Sequence, residues 1–418
     1  MKPTREKNAP SYHVDVLGYN ANVVEDGPSM TNNNSRPLGA GGEAKVKHYR
    51  VHDEEGVTHD RAIKIFHPPF TRLAENNQLI ELQPSDLPQN ELGIELSKPA
   101  YIVASNARFC GNIHNPQKIK SIINSNEDKL RDLGIQAYHL RQLQESFGST
   151  SEINTQGFLN FLRFRAQQVG DFAALQRIPP RIDMPKDYDQ GMIQAMNKMA
   201  RWASKNFPNL MIPKQLFPEF LQFGVLDERY GEDAGKFYVV MEYVPETLTS
   251  KIETGLSTIE RSNLNAGASM EDPSGIVSAV THIINSQLPM HKLTQLQTVI
   301  QIIHSFGFVF GDLKRGNIGF LKDGNITLLD PSSMIRIGTI QDFATEEFLP
   351  EDQQALMRFG QLRGKPDNDI YALNLILQKV KQDMARSLQL GMGFDKVIKD
   401  EDKSHETATF RAKLLRNL

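Results

Sequence analysis

The chain has 418 residues, of which 39% are hydrophobic and 23% are charged, and its net charge is -3. This balance is typical of a folded protein, and the near-neutral charge gives no general attraction to nucleic acid or anionic membranes. The single cysteine, Cys110, excludes an intramolecular disulfide and a thiolate zinc site. With no secretory-signal core and no apolar run long enough to cross a bilayer, the sequence predicts a cytoplasmic protein that binds no nucleic acid.

The N-terminal part of the sequence predicts strands followed by a long helical segment. Residues 1–36 are rich in Asn, Pro, Ser and Gly, so we expect a flexible leader. Three antiparallel strands are expected within 38–66, where two alternating runs and one apolar run are separated by turn residues. Residues at about 67–190 are expected to form a mostly helical insertion, with helices near 118–146 and 155–176.

The remainder of the chain predicts alternating short strands and helices, interrupted by one polar stretch. That stretch, at about 250–285, is rich in Ser, Thr, Asn and Gly and is expected to be mobile. The other expected elements are a helix over 191–207 that Pro208 ends, strands over 217–226 and 236–244, a helix over 293–305, strands over 318–321 and 326–329, and a last helix that begins near Pro366.

The strongest chemical pattern is the run GDLKRGNIGF at 311–320. Asp312, Lys314 and Asn317 fall in a loop between a predicted helix and a predicted strand, and Asp330 follows eighteen positions after Asp312. Phosphoryl transfer depends on positioning and on neutralising charge, with magnesium ions held by oxygen ligands. An aspartate to receive a proton, a lysine to steady a phosphate, and an amide and a carboxylate to hold metal would supply that chemistry.

This spacing resembles the eukaryotic-like protein kinase superfamily, and the resemblance extends in pieces from Leu38 to about Val380. It implies an α+β, two-lobed protein kinase-like fold with a large, mostly helical insertion in the N-lobe and a truncated C-lobe. The lobes would span residues 37–247 and 248–384, which leaves 385–418 as a C-terminal tail. The resemblance also implies ATP and Mg²⁺, or Mn²⁺, as cofactors.

The same resemblance assigns a role to each residue of the pattern. Asp312 would be the catalytic base, and Lys314 would steady the phosphate. Asn317 and Asp330 would bind magnesium. Asp369, in the last predicted helix, would support the catalytic loop from below.

An ATP-binding half is predicted upstream by a glycine-rich turn and a strand that carries a lysine. Glycines let a hairpin turn approach phosphates closely, and Lys64 in the apolar strand AIKIF would pair with the α and β phosphates. The run VVMEYV at 239–244 resembles the hinge that contacts adenine in kinases. The predicted ATP-binding residues are Gly39, Gly41, Gly42, Val46, Ala62, Lys64, Met241, Glu242 and Val244.

The sequence departs from the family at the control elements. Gly311 stands where the family has an arginine that reads a phosphate on the activation loop, so we expect an active site that is ordered without phosphorylation. Pro331 follows the metal-binding aspartate and disfavours a switch that flips it, because proline fixes its own φ angle. The hydroxyl residues that activation would otherwise use are Ser332, Ser333, Thr339 and Thr345.

The nucleotide-binding half departs from the family as well. Ala44 replaces the third glycine of the turn, and the glutamate that should pair with Lys64 has no clear position. Lys198 occupies the site that aligns with that glutamate, which leaves Glu91 and Glu95 as candidates elsewhere.

The leading hypothesis is a Ser/Thr protein kinase that acts on a host or cellular protein, because Lys314 lies two positions after the catalytic aspartate. The alternatives are a small-molecule kinase, an AMP transferase and a nucleotide-binding pseudokinase scaffold. A reduced kinase with a large insertion resembles kinases that bacterial pathogens secrete into the host cytosol, and the tail over 385–418 is similar to type IV secretion signals.

Basic residues recur in the insertion and predict a site for a polyanion activator such as an inositol phosphate. They are Lys118, Lys120, Arg131, Arg141, Arg163, Arg165, Arg177 and Arg181.

Overall fold

The structure is a computed structural model, and it combines helices with antiparallel strands, which confirms the predicted α+β class. It describes residues 12–16, 19–25, 39–40, 44–52, 58–66, 71–73, 79–81, five positions between 121 and 128, 153–182, 191–226, 236–254, 290–341 and 344–391. The chain divides into two compact units. The first contains Met1–Asn154, Pro180–Trp202 and Phe217–Val244, and the second contains Thr155–Pro179, Ala203–Leu216 and Pro245–Leu418.

The first unit is built on an antiparallel sheet. The strands of this unit are β1 (Tyr12–Val16), β2 (Tyr19–Glu25), β3 (Gly39–Ala40), β4 (Ala44–His52), β5 (Thr58–Phe66), β6 (Thr71–Leu73), β7 (Leu79–Glu81), β8 (Phe220–Val225) and β9 (Phe237–Glu242). The main sheet has the order β1-β2-β4-β5-β9-β8, with β3 paired to β4, while β6 pairs with β7. The three strands expected within 38–66 are therefore confirmed, with β5 at the centre of the sheet.

The predicted leader contains a hairpin that extends this sheet. Tyr12–Val16 pairs with Tyr19–Glu25, and β2 continues the ladder onto β4, with Val23 opposite Val51. The ladder pairs backbone groups that a loose segment would leave to water. Both strands lie within residues 1–36, the segment predicted to be a flexible leader.

The second unit contains short strands and most of the helices. Its strands are β10 (Glu246–Thr247), β11 (Phe308–Val309), β12 (Ile318–Phe320), β13 (Ile326–Leu328) and β14 (Ile335–Arg336), arranged as β10-β12-β13 and β11-β14. The helices of the chain are labelled α1 (Thr155–Gln168), α2 (Phe172–Arg177), α3 (Met192–Asn206), α4 (Met290–Ser305), α5 (Glu351–Arg358) and α6 (Pro366–Gly391). None of the helices that the structure describes combines the length and the apolar character needed to span a bilayer.

Helix α1 belongs to the second unit. Its buried face includes Phe158, Leu159 and Leu162, and the Phe158 ring stacks on Phe306 with 4.6 Å between centroids. Aromatic rings that pack at this distance bury much apolar surface. Thr155–Pro179 belong to the second unit, whereas the insertion over about 67–190 is predicted to lie in the N-lobe. The helix expected near 118–146 lies almost wholly outside the described residues.

Helix α2 begins at Asp171, which acts as its N-terminal cap. The Asp171 carboxylate accepts a hydrogen bond from the Ala174 N–H at 2.8 Å and another from the Asn209 side chain at 2.9 Å. The Ala174 N–H is the main cause that lowers the pKa of Asp171 below its ordinary value. This cap fixes the turn between α1 and α2.

The C-terminal boundaries differ slightly from expectation. Helix α6 begins at Pro366, as predicted, but it extends to Gly391, so the first residues of the predicted tail over 385–418 are helical. Residues 248–254 are helical as well, within the start of the predicted mobile stretch. The rest of both segments lies outside the described residues.

Helix α3 ends before Pro208, as predicted. Its residue Asn197 forms hydrogen bonds to the segment that precedes β8. The buried Asn197 side chain donates to the Phe217 carbonyl at 2.9 Å and accepts from the Phe217 N–H at 3.0 Å. Nearby, the half-buried Gln194 donates to the Phe220 carbonyl at 2.9 Å. Asn197 therefore satisfies both backbone groups of one residue in the interior of the unit.

Substitution Asn197→Leu should lower the free energy of unfolding by about 3 kcal/mol, because it leaves two backbone groups without partners in the core. Gln194→Leu removes a single hydrogen bond from a half-buried side chain, and its cost should be about 1 kcal/mol. Urea denaturation of the two variants measures the difference. Equal losses would show that the paired contact of Asn197 has no special importance.

Candidate active site

The loop that carries the predicted catalytic aspartate connects β11 to β12, and its backbone requires a glycine. Gly311 has φ of +83°, in the left-handed region that favours glycine. A Cβ at this position would lie 2.7 Å from the Ser333 carbonyl oxygen and 3.0 Å from Gln341 Nε2. This loop therefore requires a glycine at position 311 for steric reasons, in addition to lacking the arginine that the kinase family has there.

Asp369 holds the loop from the side of α6. It is 2% exposed, and its carboxylate accepts the N–H of Phe310 at 2.7 Å and the N–H of Gly311 at 3.0 Å. The His304 Nε2 atom at the end of α4 lies 2.9 Å from the same carboxylate. A buried carboxylate is tolerated only when donors surround it, and here two backbone donors and one imidazole do so.

The Asp312 carboxylate is held in one orientation by donors on both of its oxygens. Oδ2 accepts from Lys314 Nζ at 2.7 Å and from Asn317 Nδ2 at 3.2 Å. The Asn317 amide also donates to the Asp312 backbone carbonyl at 2.9 Å. Two of the other predicted site residues thus converge on the carboxylate of Asp312, a residue that is 6% exposed.

Thr345 approaches the other oxygen of this carboxylate. Its hydroxyl donates to Asp312 Oδ1 at 2.6 Å, its N–H donates to the same atom at 3.0 Å, and Lys314 Nζ donates to the hydroxyl at 3.3 Å. The contact spans 33 positions of sequence. The hydroxyl of Thr345 therefore marks a direction from which an alcohol reaches Oδ1.

Asn317 and Asp330, the predicted magnesium ligands, lie on backbone segments that are joined directly. The Leu329 N–H donates to the Asn317 carbonyl at 2.7 Å, and Asp330 follows with φ of +53°, an uncommon left-handed conformation for a residue with a side chain. Because the Asn317 NH₂ group faces Asp312, its side-chain oxygen is the atom that could hold a metal. An amide oxygen and a carboxylate fit Mg²⁺, which prefers such ligands.

Four of the predicted ATP-binding residues, Val46, Ala62, Lys64 and Met241, share one face of the sheet of the first unit. Val46 and Val239 lie opposite Lys64 on the two neighbouring strands, and Met241 lies opposite Ala62. Directly opposite residues of an antiparallel pair project to the same side, as do residues two apart on one strand.

Lys64 itself is 5% exposed, and its Nζ lies 5.1 Å from the centre of the Phe66 ring. Burying a cation is costly, so the position of Lys64 is the feature of this face that bears most directly on phosphate binding.

The other predicted residues of this half are only partly described. Gly39 lies opposite Val46 in the β3-β4 pair, whereas Gly41 and Gly42 lie outside the described residues. The Glu242 N–H donates to the Glu219 carbonyl at 2.7 Å, so the sheet uses that donor of the predicted hinge. Val244 is half-buried.

The sequence predicts two glutamates as candidate partners of Lys64. Glu91 and Glu95 lie outside the described residues, and Lys198 is an exposed residue of α3. Of the basic residues proposed for a polyanion, Arg163 donates to the Pro179 carbonyl and Arg177 lies over the Phe207 ring. Arg165 reaches the Leu210 carbonyl at 3.5 Å.

Sequence reasoning missed the residues that reach the loop from a distance. From the sequence Thr345 is only a candidate for phosphorylation, and the sequence analysis names neither Gln341 nor His304. The structure brings all three to the loop. The sequence carries a signal only for His304, which lies near the end of an amphipathic helix, seven positions before the motif begins at Gly311.

No family model and no curated protein matches this sequence. Solved structures that are similar to the chain are kinases. The ROP18 kinase domain in complex with AMP-PNP and sucrose is 12% identical, with a TM-score of 0.38 over 87% of this chain. A rhoptry kinase from Toxoplasma gondii is 12% identical, with a TM-score of 0.37 over 83%. The yeast RNA Pol II CTD kinase CTDK-1 complex is 15% identical, with a TM-score of 0.26 over 40%.

The chain spans 65% of the ROP18 chain, 60% of the rhoptry kinase and 45% of the CTDK-1 chain. Likeness at these low identities and scores carries no residue roles across. The function of this protein has to be inferred from its own side chains.

Asp369→Asn should disorder the loop, because an NH₂ group then faces one of the N–H donors that the carboxylate now accepts. We expect the free energy of unfolding to fall by about 3 kcal/mol. Asp367→Asn is the matched control, since Asp367 is an exposed carboxylate in the first turn of the same helix. Thermal and urea unfolding compare the two, and similar small losses in both would contradict the supporting role of Asp369.

Proposed function

We propose that this chain is an ATP- and Mg²⁺-dependent phosphotransferase, and specifically a Ser/Thr protein kinase. The observation that carries the proposal is the Asp312 carboxylate, which has the Lys314 ammonium on one oxygen and the Thr345 hydroxyl on the other. A carboxylate already arranged to accept an alcohol proton, beside a cation that can steady a phosphate, is what transfer to a hydroxyl needs.

Each of the four site residues would have its own role in the transfer. Asp312 would accept the proton of the attacking hydroxyl through Oδ1, the oxygen that Thr345 reaches. Lys314 would hold the γ-phosphate, and Asn317 and Asp330 would hold magnesium through their side-chain oxygens. Bound magnesium would neutralise the phosphate charge. The bonds among these residues fix the geometry before a substrate arrives, which lowers the cost of reaching the transition state.

The buried lysine of the first unit supports ATP as the phosphate donor. Lys64 lies on the face formed by Val46, Ala62, Val239 and Met241, where apolar side chains could contact a base and the ammonium could contact phosphates. The nature of the acceptor, its host or cellular source and any polyanion activator stay predictions.

Three alternatives are separated by one experiment. Incubation with ATP, Mg²⁺ and a panel of generic proteins and metabolites, followed by mass spectrometry, distinguishes phosphate on a protein, phosphate on a small molecule and AMP on either. We expect phosphate on serine or threonine of a protein. Retention of the cellular function in Asp312→Ala and Asp330→Ala variants would instead establish a pseudokinase scaffold.

Asp312→Asn should lower kcat by about a thousandfold, because the amide cannot take the proton of the acceptor. Nucleotide affinity should be unchanged, since the substitution leaves Lys64 and its strand intact. Phosphate transfer and fluorescent-nucleotide titration measure the two quantities. Asp323→Asn, in the exposed turn between β12 and β13, is the control and should behave as the wild type.

Activity should not depend on phosphorylation of the segment after Asp330. Treatment with a phosphatase should leave kcat within about twofold of the untreated enzyme, and so should Thr339→Ala. Thr339 is exposed, and its hydroxyl bonds only locally to the Arg336 carbonyl at 2.7 Å among the contacts described. A tenfold fall in kcat after phosphatase treatment would refute the expectation.

A further inference from the structure

Side chains from distant parts of the second unit hold each peptide group that leads into the catalytic aspartate. Asp369 accepts the N–H groups of Phe310 and Gly311. The Ser333 hydroxyl donates to the Phe310 carbonyl at 2.9 Å, and Gln341 Nε2 donates to the Gly311 carbonyl at 2.6 Å. The Gly311 carbonyl belongs to the peptide bond that continues into the aspartate, so its direction sets where the carboxylate points.

Gln341 is itself anchored independently of the loop. It is 3% exposed, and its backbone N–H donates to the Leu362 carbonyl at 2.8 Å. Two further backbone hydrogen bonds run from the Gly338 N–H to the Gly364 carbonyl at 2.8 Å and from the Gly364 N–H to the Thr339 carbonyl at 2.9 Å. Together the three bonds join residues 338–341 to residues 362–364, and we call this paired segment the ribbon. The side chain that reaches the loop therefore starts from a fixed backbone.

The ribbon packs tightly against the strands that precede the loop. A Cβ at Gly364 would lie 2.8 Å from Val309 Cγ2 and 2.9 Å from Ile335 Cδ1, so only glycine fits there. Val309 and Ile335 are paired in β11 and β14. The ribbon, the strand pair and the loop thus form one packed arrangement.

The space beside Gly311 is occupied by a neutral group. A side chain at position 311 would meet Gln341 Nε2 and the Ser333 carbonyl, at 3.0 Å and 2.7 Å from its Cβ. An arginine at this position would need a phosphate or carboxylate to balance its charge. The amide of Gln341 needs no such partner, because one neutral donor meets one neutral carbonyl.

We propose that Gln341 is a positioning residue that fixes the peptide before Asp312 and replaces an activating phosphate with a permanent amide-to-carbonyl hydrogen bond. The inference rests on the proposed phosphotransferase function, and it explains how that site is ordered without covalent modification. Gln341 touches no reacting atom, so it acts through the direction of the Asp312 carboxylate.

Two variants of the full chain test this role. Gln341→Met keeps the side-chain volume but removes the donor, and kcat should fall about tenfold while the KM for ATP stays within about twofold. Gln341→Glu places a carboxylate against the carbonyl, so kcat at about pH 8 should fall further. Burial raises the pKa of such a carboxyl group, and once protonated it donates an O–H to the carbonyl.

The pH dependence separates a hydrogen bond from a packing effect. As pH falls from about 8 to about 6, the kcat of Gln341→Glu relative to wild type should rise, because the protonated acid restores a donor. The same ratio for Gln341→Met should stay flat. Asp369 and His304 also lie beside the loop, and both are present in every variant.

Gln354→Met is the matched control. Gln354 donates a side-chain N–H to the Leu349 carbonyl at 2.9 Å in the same region, but it does not contact the loop. Its kcat should equal that of the wild type. A tenfold loss of kcat in this variant would mean that loss of any side-chain amide hydrogen bond in this region reduces activity. That result would overturn a specific role for Gln341.

Amide hydrogen exchange gives a second readout that needs no catalysis. Gln341→Met should raise exchange in peptides that cover 309–313 at least tenfold, with no such change in Gln354→Met. Unchanged exchange and unchanged kcat, or parallel pH profiles for the Met and Glu variants, would overturn the proposal. If the wild type transfers no phosphate, the proposed function fails, and the exchange data still decide whether Gln341 positions the loop.

Discussion

The buried carboxylate of Asp369 is the interaction on which the second unit depends. Removing a charge from water is costly unless several donors replace the water, and here the N–H groups of Phe310 and Gly311 and the His304 ring do so. These donors come from the catalytic loop and from the end of α4, and the acceptor comes from α6. One carboxylate therefore joins two helices to the loop, and the geometry of the catalytic residues follows from it.

The loop concentrates unusual backbone at the places where chemistry is expected. Gly311 and Asp330 both have positive φ, and for Asp330 the left-handed conformation costs about 1 kcal/mol. The bond from the Leu329 N–H to the Asn317 carbonyl helps to hold the Asp330 segment in place. Surrounding hydrogen bonds maintain backbone strain at a site of this kind. The strained backbone gives the side chains an orientation that a regular strand would not give them.

The sequence predicted the local parts of the fold and site, and missed the parts made by distant contacts. The strand that carries Lys64 and the convergence of Lys314 and Asn317 on Asp312 follow from short spacings. Thr345 reaches the same aspartate across 33 positions, with no repeating pattern to indicate it. The sequence predicted a helix near 155–176, but nothing in it indicated that Phe158 of this helix packs against Phe306.

The two units are interleaved along the sequence, which affects how the protein folds and how it can be truncated. Each unit contains three separate stretches of sequence, and the second begins at Thr155, before the first is complete at Val244. The packing of Phe158 against Phe306 therefore cannot form until Phe306 has left the ribosome. Contacts between such remote stretches slow folding. No single truncation yields either unit intact, so each must be obtained by folding the whole polypeptide.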